Sequence, residues 1–188
     1  NMLKSEYTAG EVYKGTKYST FFIETQHGFK LHFILPNEGY DADDVFTEGI
    51  ISQILSRKNF GAIDEEKGTV NYTRILFPSF EASFSGDISK VLAEDLGITD
   101  LFDPQKCDLS GLLSSRVHLD KLTHQSELSI GKNGIHASSE LFSPDSSVPD
   151  DSEYTKVYHE FIIDRSFGFV LTDDRGTVLY SGVIDNVK

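Results

Sequence analysis

Residues 29–39, "FKLHFILPNEG", restrict the fold more than any other stretch of the chain. Phe29, Leu31, Phe33 and Leu35 alternate with Lys30, His32 and Ile34. A period of two puts one set of side chains on each face of a β-strand, so the pattern predicts a strand. Pro36-Asn37-Glu38-Gly39 ends it, because proline removes a ladder donor and glycine permits the turn. Just upstream, Thr20 to Thr25 is rich in Phe and Ile, and Gln26-His27-Gly28 is a plausible turn between the two segments. The chain therefore opens with a hairpin.

Further strands follow. Val70 to Phe77 is closed by Pro78, and Phe80, Ala82 and Phe84 alternate in a shorter one. Leu122 to Ile130 reads as a strand. Phe167 to Leu171 and Thr177 to Ile184 form a hairpin around Asp173-Asp174-Arg175-Gly176, a sequence rich in turn formers. Two helices interrupt the strands. Asp41 caps the first, with Val45, Phe46, Ile50, Ile51, Ile54 and Leu55 at helical spacing. Asp87 caps the second, with Ile88, Val91, Leu92 and Leu96 as its buried stripe and Gly97-Ile98 as its stop. Arg57 to Gly68 is polar and predicts a loop. The whole is an α+β pattern, with mixed and antiparallel sheets and a few short helices.

Residues 139–154, "SELFSPDSSVPDDSEY", consist almost wholly of Ser, Asp, Pro and Glu. Such residues compete with ladder bonding and repel one another, which predicts an exposed, mobile loop between two strand-like segments.

Composition excludes several functions. The chain has 188 residues and 38% hydrophobic residues, enough for a real core, but its apolar runs are as short as Phe21-Phe22-Ile23. None is long enough for a membrane span. The opening "NMLKSEY" lacks the pattern of a secretory leader. Asn1 precedes Met2, which suggests a processed fragment or a domain of a longer protein. The formal net charge of -13 comes with scattered Lys and Arg, so no nucleic-acid partner is expected. The lone Cys107 cannot form an internal disulfide. Asn71-Tyr72-Thr73 is a glycosylation triplet of a kind that arises often by chance. No Gly-x-Ser-x-Gly elbow is present, so the chain is not expected to be an enzyme. His118 and His124 lie six apart, and His136 and His159 lie in or near the acidic loop. These histidines are not expected to hold a metal, and no cofactor is expected.

The order of the pieces resembles the C-terminal half of a serpin. "FPSFEAS" at 77–83, "LGITDLFD" at 96–103 and "DLSGLL" at 108–113 follow one another as the family's phrases do. "LTHQSELSIGKNGIHASSE" at 122–140 is similar to the serpin strand that leads into the reactive-centre loop. "FIIDRSFGFVLTDDRGTVLYSGVIDN" at 161–186 resembles the family's closing strands, and "FKLHFILPNEG" its strand ending in Leu-Pro-Asp-Glu-Gly.

The resemblance implies a serpin-type inhibitor of a serine or cysteine endopeptidase. Its loop is cleaved and then inserts as a new strand in a large sheet. It implies strands and helices over 1–133, a reactive-loop-like segment over 134–157, and C-terminal strands over 158–188. Gly134, Ile135, His136, Ala137, Ser138 and Ser139 stand at the hinge, where the family carries Gly, Thr, Glu and a run of Ala. Alternate hinge residues become buried on insertion and must be small and uncharged inward. Ala137 and Ser139 meet that demand, whereas Ile135 is bulky. His136 and Glu140 fall on the opposite face. Counting from the hinge puts the scissile bond at Val148-Pro149; counting back from Phe167 puts it at Thr155-Lys156. The two counts differ because the loop is longer than usual. His124 stands where the family has a hydrogen-bonding histidine beneath the main sheet, or is a satisfied core histidine.

The implied partner is a target protease, with no membrane. The family's accepting sheet takes strands from an N-terminal half that this chain lacks, so a missing half of the same protein is a second implied partner. The alternative is a non-inhibitory serpin-like binding or structural module with an inert exposed loop. The resemblance implies an extracellular location, with an intracellular one left open. It also places Phe21, Ile23, Leu31, Phe33, Phe169, Val170, Leu179 and Val183 in one shared core.

Overall fold

The computed structural model describes residues 2–25, 28–57, 61–114, 117–131, 134–136 and 154–185. Two compact units share the chain: residues 1–81 with 128–188, and residues 82–127.

In the first unit, five antiparallel strands form one sheet: β3 (Tyr13–Lys14), β4 (Tyr18–Glu24), β5 (Lys30–Pro36), β12 (Phe167–Thr172) and β13 (Val178–Ile184), in the order β13-β12-β5-β4-β3. The expected opening hairpin is β4 with β5, in the register Phe21 to Phe33 and Ile23 to Leu31. The C-terminal hairpin is β12 with β13. Asp173 shapes its turn by accepting from the Arg175 and Thr177 backbone N–H groups, at 3.0 and 2.7 Å. Those bonds, the Thr177 one foremost, hold the Asp173 carboxyl below the usual carboxylate range.

A second sheet is built on β7 (Thr69–Pro78). Short strands β1 (Met2–Lys4), β2 (Thr8–Ala9) and β6 (Ile63–Asp64) pair with it antiparallel, and β11 (Thr155–Ile162) pairs with it parallel. The remaining strands are β8 (Phe80–Asp87), β9 (Thr123–Gly131) and β10 (Gly134–His136), in the order β10-β9-β8.

The alternation along β5 predicts one buried face. Instead, every residue from Leu31 to Pro36 is buried. The reason is a cover on both sides. Phe21, Phe33 and Phe169 line up across three strands. Their face packs with Phe77, Phe80 and Phe167, at ring separations of 5.1 to 5.7 Å. The opposite face carries Tyr18, Ile34 and Val170, which cluster with Val45 and Ile54 of the helices. The single shared core is therefore two cores, with Val170 in the second. Leu179 is 44% exposed and belongs to neither.

The helical pattern over 42–55 is broken into α1 (Ala42–Val45) and α2 (Glu48–Leu55). Asp41 caps α1 in a capping box with Asp44. Thr47 then caps α2, its hydroxyl accepting from Ile50 N–H at 3.4 Å. A capping residue takes an extended backbone, and Thr47 at φ -119° and ψ 153° interrupts the helix there. The polar stretch 57–68 is not wholly loop, since it contains β6.

In the second unit, Asp87 caps the expected helix through Ser89 N–H at 2.9 Å. The helix widens to a π form over Val91–Asp95. Gly97 stops it at φ +69°, and Ile98 N–H bonds back to the Leu92 carbonyl at 2.8 Å. The stripe is not buried: Val91 is 47% and Leu96 63% exposed. Helical spacing names the side that would be covered, and no cover lies over it among the described residues.

Candidate functional site

The candidate site is the acidic segment and the strands from which it is hung. On its N-terminal side, β10 pairs antiparallel with β9, Gly134 opposite Gly131, Ile135 opposite Ile130 and His136 opposite Ser129. Leu128 and Ile130 of β9 are buried, and Ser129 between them is partly exposed. Period two thus defines an inward and an outward side for whatever pairs here. The first three hinge residues, Gly134, Ile135 and His136, are the three residues of β10. Ala137, Ser138, Ser139, Val148 and Pro149 lie outside the described residues, as does most of the segment 139–154.

On its C-terminal side the segment ends in β11. Thr155 N–H donates to the Gly68 carbonyl at 3.0 Å, and Thr155 and Lys156 stand opposite Thr69 and Val70. Both are exposed as side chains but belong to a paired backbone. The expected span 134–157 takes in β10 and the first residues of β11. The two ends are held in different sheets.

β11 begins inside the span expected to be loop-like, 134–157, and runs into the span expected to hold the C-terminal strands, 158–188. Its inward residues, Val157, His159 and Phe161, have a period of two. The outward ones are Lys156, Tyr158, Glu160 and Ile162. His159 Nε2 lies 3.0 Å from Asn71 Oδ1, so this histidine is committed to the sheet. The signal for the strand's earlier start was the short alternating run around this histidine, which the sequence places in or near the loop.

His124 lies on β9 with its side chain exposed, its ring 5.9 Å from that of Phe84. It is not a core histidine. His118 Nε2 lies 3.1 Å from Asp120 Oδ1. Among the described residues, no three His, Cys, Asp or Glu side chains converge as metal ligands. Cys107 is free and buried. Among the described residues, no helix is long and apolar enough to cross a membrane.

The described residues thus form an α+β scaffold in which β10, of one sheet, precedes the acidic stretch in sequence and β11, of another, follows it. The family model described as serpin (serine protease inhibitor) matches residues 2–187, and the chain belongs to that family. It is 28% identical over 138 residues to Serpin B6 of Macaca fascicularis, covering 72% of this chain and 35% of that protein. It is 26% identical over 155 residues to Serpin B7 of Homo sapiens, covering 79% and 38%. The chain thus spans about a third of the length of these curated relatives. Among solved structures, Serpin48 of the insect Tenebrio molitor superposes with a TM-score of 0.63 at 19% identity, over all of this chain and 45% of that one. Tengpin, a thermophilic serpin in its native state, superposes at 0.62 and 18% identity, over 99% and 45%. These structures establish the serpin-like α+β fold.

Proposed function

We propose that this chain is the loop-bearing part of a serpin-type inhibitor of serine or cysteine endopeptidases, acting within a longer parent protein and not as an enzyme. The supporting observation is the pairing of Gly134–His136 with β9 immediately ahead of the acidic segment. A loop cut further along has a template in place. Continuing the register sets Ala137 opposite Leu128, which is buried, with Ser139 on the same side. His136 and Glu140 then fall on the outward side and stay solvated. Each added residue gains a ladder bond and covers β9, which favours insertion once cleavage frees the chain.

The paired backbone of Thr155 and Lys156 favours a scissile bond upstream of residue 154, in the stretch that holds Val148 and Pro149. A protease cleft needs the substrate backbone for its own pairing. We take the loop proper as 137–154. The rest of the accepting sheet is supplied by the parent's other part. An extracellular location is the accompanying proposal, and a secretory leader on the parent's open reading frame tests it.

The test of the inhibitory reading is a panel of serine and cysteine proteases incubated with the complete parent and run on denaturing gels. A band of summed mass, with a rise in the parent's melting temperature after loop cleavage, supports trapping. Loop cleavage with neither result overturns it and leaves a non-inhibitory binding module.

A further inference from the structure

Among the described residues, three buried side-chain polar atoms have no hydrogen-bond partner in the protein: Thr20 Oγ1, His32 Nδ1 and Arg57 Nε. The fold gathers all three on one side of one sheet. In the β4–β5 pairing, Thr20 stands opposite Ile34 and Phe22 opposite His32. Thr20 and His32 are therefore diagonal neighbours on the side that carries Tyr18 and Ile34. The contact of the Phe22 and His32 rings at 5.5 Å lies on that side. Tyr13 of β3 stands opposite Thr20 and packs against the cluster of Tyr18, Ile34, Val45, Ile54 and Val170. The Arg57 guanidinium, just past the end of α2, lies over the Tyr13 ring at 3.5 Å. A row thus runs from Arg57 across Tyr13 and Thr20 to His32.

We propose that this row is an internal hydration site, in which ordered water bridges Thr20 Oγ1 to His32 Nδ1 and also serves Arg57 Nε. Native interiors leave few buried polar groups unpaired, and here three orphans fall in one layer of one core. Internal water settles at such groups when two or more of them converge. The spacing suits one bridging molecule. Diagonal neighbours lie about 7–8 Å apart, two hydrogen bonds through one water reach about 5–6 Å, and the side chains supply the rest. The chemistry selects water over an ion. Burial, and then the charge of Lys30, lower the His32 pKa to about 4, so the imidazole is neutral at pH 7. One of its nitrogens then donates and the other accepts, and the Thr20 hydroxyl does both. Water matches either tautomer. An anion only accepts, and would leave an accepting Nδ1 unmet.

The sign of one substitution tests the site. Valine has nearly the shape of threonine but no hydroxyl. If Thr20 Oγ1 is dry, Thr20→Val removes an unsatisfied buried group and raises the urea midpoint of the complete protein. If water binds there, the same change strands that water and His32, and lowers the midpoint. A lowered midpoint is the expected result, with Thr20→Ser close to the unsubstituted protein. In a His32→Phe background, where the water has no imidazole to serve, Thr20→Val should lose less than half as much. A crystal structure of the complete protein should show a water within about 3.2 Å of both Thr20 Oγ1 and His32 Nδ1, and the double variant should lack it. A raised or unchanged midpoint for Thr20→Val overturns the proposal, and so do losses that add in the double variant. A direct bond between Thr20 and His32 in the crystal, with no water between them, overturns it as well, and that readout does not depend on any variant folding.

Discussion

Asn71 Oδ1 and His159 Nε2 are held 3.0 Å apart across the parallel pairing of β7 and β11. Asn71 is 6% exposed, and its backbone carbonyl accepts from Gly10 N–H at 2.9 Å. Thr73, the last residue of the glycosylation triplet, is fully buried and donates its hydroxyl to the Gly10 carbonyl at 2.7 Å. Asn71 and Thr73 thus face the sheet's interior. Folded protein from eukaryotic cells should carry no glycan at Asn71, read by intact mass before and after glycosidase treatment. Asn71→Ala leaves the imidazole short of a partner and should cost about 1–3 kcal/mol of unfolding free energy. A cost near zero would mean that the bond carries no weight.

The Phe33 ring is fully buried between those of Phe77 and Phe167, at 5.1 and 5.7 Å. Phe33→Ala should cost about 3–5 kcal/mol in denaturant unfolding, as transfer and cavity terms add. Leu179→Ala, at a site 44% exposed, should cost less than about 1 kcal/mol. Equal costs at the two positions would contradict the two-core packing.

What the sequence disclosed follows from what local patterns encode. Phe29 to Leu35, Phe167 to Leu171 and the Asp173 turn were readable because period and turn chemistry are properties of neighbours along the chain. The burial of Ile34 was not, because its cover comes from Val45 and Ile54, which reach β5 only in the folded chain. The break at Thr47 is visible as a capping residue, but apolar spacing runs through it undisturbed. Val91 and Leu96 keep helical spacing while exposed, since spacing carries no information about which chain supplies the cover. At the candidate site, composition and family phrases singled out Gly134 and the acidic segment, most of which lies outside the described residues. The pairing of β10 with β9 and the parallel course of β11 were not legible. The first is a hairpin register between consecutive strands and the second a long-range one, and the polar outward side of β11 hid its period.

His32 is buried in β5, with its ring 5.5 Å from that of Phe22 and Nδ1 lacking a protein partner. Burial, and then the charge of Lys30, lower its pKa to about 4 from an ordinary 6.5. The unfolded chain therefore binds the extra proton between those values and the folded one does not. His32's contribution is fully present above about pH 6.5 and is lost as pH falls toward 4, by up to roughly 3 kcal/mol. Unfolding midpoints at pH 7.5 and 5.0 measure it. His32→Phe should flatten that slope while other carboxylate-driven losses remain. An unchanged slope in the variant would assign the pH dependence elsewhere.

Under the proposed function, Ala137 is the residue on which trapping would make its sharpest demand. Carried one residue past His136, the β9 register puts position 137 opposite Leu128, on the side where Leu128 and Ile130 are buried. Alanine fits that side with no polar group to desolvate. Ala137→Arg would bring a guanidinium there, and an unpaired charge costs several kcal/mol in a dry interior. Before cleavage the variant's loop is still presented, so a protease can still cut it. After cleavage, insertion stalls and the acyl-enzyme hydrolyses. The expected outcome in the complete parent is conversion from inhibitor to substrate: cleaved protein accumulates, the band of summed mass fades, and cleavage no longer raises the melting temperature. Ser138→Arg, on the outward side by the same register, should leave trapping largely intact. If the two arginine variants trap equally well, the inserted strand does not follow the β9–β10 register.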